Sequence, residues 1–86
     1  RAALDFIAAA PPEVGSRVRG LGIGADGVLA GRLRGGPPLR LGPPERLAAK
    51  ASALALVLSE LTVEEERAAS YIDLTFPERP ALGPPL

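Results

Sequence analysis

The residues of this chain with the capacity for chemistry are glycines at a suggestive spacing, four serines, one lysine and ten carboxylates. The run Gly22-Ile23-Gly24-Ala25-Asp26-Gly27 has the GxGxxG spacing. That spacing lets a backbone approach a pyrophosphate when a strand precedes it and a helix N-terminus follows to receive the charge. Here it is followed by VLAGRLRGG, whose strand formers and glycines alternate and end in a turn. A hairpin with permissive glycines is therefore expected, and no nucleotide site. Ser16, Ser52, Ser59 and Ser70 have no histidine to activate them, and Lys50 sits in a helical pattern with no nucleophile around it. Acid–base work by Asp5, Asp26, Asp73 or the seven glutamates needs a cleft that perturbs their pKa values, and 86 residues rich in turns leave little room for one. Glu64, Glu65 and Glu66 point in different directions on a helix, so a solvated connector is expected in place of a cation site. No catalytic residue, metal or cofactor is expected.

The elements that carry these residues follow from periodicity. Residues 2–10 (AALDFIAAA) form a helix stopped by Pro11 and Pro12, with Leu4 and Ile7 one turn apart and Phe6 paired with Ala10. Its apolar stripe is read as facing a core. Three strands form a meander over about 17–23, 28–34 and 38–41, separated by Asp26-Gly27 and Gly35-Gly36. In the second, Leu29, Gly31 and Leu33 share one face; in the third, Leu39 and Leu41 alternate with Arg40. A helix over 44–61 places Leu47, Ala51, Leu54, Leu58 and Leu61 on a stripe covering the sheet. Leu56 falls opposite, exposed or covered by something outside the chain. Thr62-Val63-Glu64-Glu65 has the form of a capping box.

The last strand is expected over 70–76, where Ile72, Leu74 and Phe76 alternate with Tyr71, Asp73 and Thr75. The strand should lie near the end of the sheet; Pro77 and Pro80 remove backbone donors, so the chain past Phe76, the tail 77–86, must run along an edge or leave the sheet. If the strand runs straight, its odd-numbered residues face the open side. Lys50 and Asp73 are expected to form a structural ion pair between helix and strand. The fold class is thus α+β: a mainly antiparallel sheet, a meander plus a C-terminal strand, with a long helix packed on one face, all in one small domain of residues 1–86.

Composition narrows the partners. The ten basic and ten acidic residues balance, and aromatic residues make up 3% of the chain, so neither a net field nor stacking platforms favour nucleic acid. No apolar run approaches the ~20 residues of a membrane-spanning helix. Without cysteine there is no disulfide to indicate the redox compartment. The first residue is Arg1, and an upstream portion is expected.

The meander ending LRLG at Leu39 to Gly42, the following helix with Lys50 and Leu54, and the final SYIDLTFPERP together resemble the carboxy-terminal β-domain of the FtsQ/DivIB family of bacterial cell-division proteins. The likeness spans roughly Val18 to Leu82 and rests on the order of elements more than on one motif. It implies a fragment of a non-enzymatic, extracytoplasmic divisome scaffold whose full-length form is anchored in the cell membrane by an upstream helix and acts at the septum. It also implies that FtsB/DivIC and FtsL-type proteins are partners, bound by strand addition at the last strand. Carried onto this sequence, the partner-binding residues are Tyr71, Asp73, Thr75 and Phe76, with Glu78 and Arg79 just beyond. The alternative is a small accessory or packing module of a larger enzyme with no binding activity of its own.

Overall fold

A computed structural model describes residues 1–85. Leu86, the end of the expected tail, lies outside the described residues. Among the described residues nine elements follow in order: α1 (Ala2–Ala9), α2 (Pro12–Gly15), β1 (Val18–Ile23), β2 (Leu29–Leu33), β3 (Pro38–Gly42), α3 (Leu47–Glu60), α4 (Val63–Ala68), β4 (Ile72–Asp73) and β5 (Ala81–Leu82). The strands form one sheet in sequence order, antiparallel throughout except for β3 and β4, which are parallel and joined through α3 and α4. The fold is the expected small α+β arrangement with a mainly antiparallel sheet and a long helix.

The meander follows the alternation of its side chains. Val18, Leu29, Leu33, Leu39 and Leu41 are buried, whereas Arg19, Ala30, Arg32 and Arg40 are exposed. The sheet therefore has one covered face and one open face, as an antiparallel sheet can. Residues 22–27 end β1 and turn the chain toward β2, and they begin no helix. Asp26 Oδ1 accepts from the Val28 amide at 3.1 Å, and the Gly27 amide donates to Gly24 O at 3.0 Å, closing the hairpin.

The covered face packs against α3 through Ala51 and Leu54, while α1 adds Phe6, which is fully buried. Within the expected stripe, Leu54 is fully buried and Leu47, Leu58 and Leu61 are half-buried. The buried line shifts toward Lys50, Ala51, Ala53 and Leu54 because small side chains permit the closest approach. On α1 the stripe also turns: Phe6 and the following Ala10 are buried, while Leu4 and Ile7 face outward. α3 starts at Leu47, three residues later than expected, because Arg46 adopts a left-handed conformation after Pro43-Pro44.

Two local features fasten the crossover. The Thr62 hydroxyl accepts from the Glu65 amide at 3.0 Å and the Glu65 carboxylate accepts from the Thr62 amide at 2.9 Å, completing the capping box of α4. Glu66 is not simply solvated. It receives both guanidinium nitrogens of Arg17, at 3.0 and 2.5 Å, and Arg17 also donates to Arg34 O, so α4 is held to the start of β1. This charge-assisted fork raises the Arg17 pKa above its already high value.

Candidate functional site

The expected strand over 70–76 contracts to Ile72–Asp73. Its alternation is nevertheless retained: the Leu74 amide donates to Arg40 O of β3 at 2.7 Å, while Tyr71 O on the other side accepts from the Gly83 amide at 2.8 Å. On the odd-numbered side, Tyr71 and Asp73 are therefore paired with the chain's own β5 and the Thr75 amide is taken by Asp73, so that side is not an open edge. The reason is the turn after Leu74. Pro77 occupies the second position of Phe76-Pro77-Glu78-Arg79, where a fixed φ suits a β-turn, and the Arg79 amide donates to Phe76 O at 2.9 Å. The chain reverses there and returns along β4. Phe76, expected in the core with the even-numbered set, is consequently 58% exposed.

The expected Lys50–Asp73 pair does not form. Lys50 is buried and donates to Pro43 O at 2.8 Å, and Asp73 Oδ1 accepts from the Thr75 amide at 2.9 Å. A lysine has the reach to fold back past the start of α3, and an aspartate two residues before an amide has its acceptor in the same loop. Burial lowers the Lys50 pKa from the usual lysine value, with Glu45 acting in the opposite sense.

Two glycines make the β4–β5 layer possible. Gly42 has φ +67°, and a β-carbon there would lie 2.7 Å from Thr75 Cγ2. Only glycine combines that conformation with that approach. Gly83 is buried, and a β-carbon on it would overlap the Tyr71 ring and the Ser70 hydroxyl. The flat face of glycine thus lets Tyr71 lie across β5.

β5 is the end of the sheet and its outer side is unpaired among the described residues. Because Gly83 turns its amide inward, alternation directs the Leu82 N–H and C=O outward. Pro80 and Pro84 flank it without N–H groups, so Leu82 supplies the sole donor on that side between residues 80 and 84. Prolines here blunt the edge against indiscriminate pairing. Beside it, Leu56 and Val57 of α3 with Leu61, Pro80 and Leu82 line an apolar groove of about 290 Å³. Leu56 and Leu82 are 59% and 44% exposed, so the outward leucine of α3 is a wall of this groove.

The six expected partner-binding residues are divided among three places. Tyr71 and Asp73 sit on β4 or beside it, directed toward the open sheet face, with the Arg40 guanidinium 3.8 Å from the Tyr71 ring centre. Thr75 packs on Gly42. Phe76, Glu78 and Arg79 lie on the turn, where Arg79 stands 5.8 Å from the Phe76 ring and Glu78 pairs with Arg46 at the start of α3. That guanidinium holds the Glu78 carboxyl below its usual pKa. Leu82, Gly83 and Pro80, which form the actual edge, were not among the expected residues; proline at the second turn position and Gly83 were the available signals. No protein-family model, curated protein or solved structure matches this chain.

Proposed function

We propose that this chain is part of an FtsQ/DivIB-type β-domain: a non-enzymatic scaffold on the outer side of the cell membrane at the division septum, binding FtsB/DivIC and FtsL-type partners. The carrying observation is the short terminal strand β5, whose outer side offers Leu82 N–H and C=O beside the groove of Leu56, Val57 and Leu61. Main-chain hydrogen bonds to Leu82 would set the register of an added strand, and an apolar side chain of that strand would enter the groove. The expectation of strand addition at the last strand is kept, but its position moves from the odd-numbered side of 71–75 to β5. The turn bearing Phe76, Glu78 and Arg79 would flank the incoming chain, while Tyr71 and Gly83 would hold β5 in place from behind.

The test is binding of a purified FtsB/DivIC-type partner segment, measured by calorimetry, to the parent and to Leu82→Pro. Proline removes the outward donor and leaves the β4–β5 hydrogen bonds from Gly83 intact, so circular dichroism should be unchanged while affinity falls about tenfold or more. Equal binding by a folded Leu82→Pro variant would place the partner elsewhere. The reading as an accessory module of an enzyme predicts no affinity for this segment in either protein.

A further inference from the structure

The open face of the sheet carries a row of arginines that β5 does not use. Arg19 of β1 lies directly opposite Arg32 of β2, and Arg40 of β3, paired with Ala30, is diagonal to Arg32. All three side chains are exposed. None takes part in the three ion pairs found among the described residues, which are the N-terminal amine with Asp5, Arg17 with Glu66, and Arg46 with Glu78. Like charges directly opposite each other in an antiparallel pair are destabilising, so the Arg19/Arg32 position opposes folding in the free protein. Two of the three guanidiniums are already held. Arg19 donates to Ser16 O at 2.9 Å and to Val18 O at 3.2 Å, and Arg40 is stacked on Tyr71, whose ring is seated on Gly83. Asp73, opposite Arg40, directs one carboxylate oxygen to the Thr75 amide.

We propose that this row, Arg19–Arg32–Arg40, is a second binding surface that takes an extended, carboxylate-rich segment of a partner protein. Directly opposite and diagonal neighbours on a sheet face are about 5 and 7–8 Å apart, and alternate side chains of an extended peptide recur at about 6.8 Å. Glutamates at every second position therefore meet the row in succession. Pre-positioned guanidiniums lose little freedom on meeting carboxylates, and planar forks suit them. Other polyanions fit less well. The tyrosine ring beside the row is already covered by Arg40 and is no free platform for a base there, and the overall charge of zero means that the remaining surface does not attract a long phosphate chain. The exposed neighbours Ala30 and Pro38 are too small to enter a lipid layer.

The probe is a fluorescent peptide of alternating glutamate and serine, with a glutamine–serine peptide of equal length as control, followed by anisotropy at low and high salt. The glutamate peptide should bind, weaken as salt shortens the screening length, and lose at least tenfold in affinity in Arg32→Glu. Because Arg32→Glu replaces a like-charge pair with an opposite-charge pair, its thermal midpoint should equal or exceed that of the parent, so lost binding would not reflect unfolding. Arg40→Gln should weaken binding to a smaller degree. Indistinguishable affinities for parent and Arg32→Glu overturn the proposal, as does tighter binding of vesicles containing anionic lipid, or of a single-stranded oligonucleotide, than of the glutamate peptide. The surface is separate from β5: Leu82→Pro should bind the glutamate peptide like the parent, whichever way its test with the division-protein segment falls.

Discussion

Leu54→Ala tests the packing on which every surface feature depends. Leu54 is fully buried on α3, and of the residues buried with it on that helix Ala51 and Ala53 are alanines and Lys50 is tied to Pro43 O. Small flanking side chains have no length to swing into the space vacated, so the cavity should persist. Leucine-to-alanine changes at such sites cost about 3–5 kcal/mol, the upper part of the usual range reflecting poor collapse. For a domain of 86 residues, each kcal/mol lowers the melting midpoint by about 4–8 °C, so a fall of roughly 12–40 °C is expected. Against a total stability of about 5–15 kcal/mol, the variant should be partly unfolded at physiological temperature. The internal control is Leu56→Ala, two positions further along but 59% exposed, which should stay within about 0.5 kcal/mol of the parent. Paired urea and thermal denaturation followed by circular dichroism would measure both. Similar losses in the two variants, or an unchanged midpoint for Leu54→Ala, would mean that α3 does not present this face to the sheet.

Two further substitutions address the elements behind the edge. Gly42→Ala combines a left-handed backbone with a β-carbon pressed on Thr75; urea denaturation should show a loss of about 2–4 kcal/mol, partly recovered by adding Thr75→Ala, and full stability in the single variant would refute the close approach. Lys50→Met should remove a pH dependence. Since burial lowers the Lys50 pKa, the unfolded chain binds more protons between that lowered value and the ordinary ~10.4, so parent stability rises with pH across this window. The stability difference between parent and Lys50→Met should therefore change in the parent's favour as pH rises toward 10.4, and a constant difference would contradict the burial of the ammonium.

The meander, the long helix and the capping box were legible because each is written in residues close in sequence. Leu29 and Leu33 are inward and Arg32 outward because a strand repeats every two residues, and Thr62 meets Glu65 because one helical turn brings them together. The segment 70–85 was legible only in part. A strand of two residues has too little length for a period, and Phe76 fits the alternation of β4 yet belongs to a turn. Sequence alone shows that Pro77 must interrupt a ladder, without showing whether the chain departs or returns. The return is decided by distant contacts: Gly83 accommodating Tyr71, Gly42 accommodating Thr75, and Arg46 reaching Glu78 across 32 residues. Lys50 illustrates the same division, since its place on the long helix was legible but its burial and its partner, Pro43 O, depended on the path of the chain into α3. The arginine row exists in sequence only as Arg19, Arg32 and Arg40, scattered over three strands. Register across the sheet makes them neighbours, because hydrogen bonds between strands, unlike side-chain alternation within one, join residues that no local pattern relates.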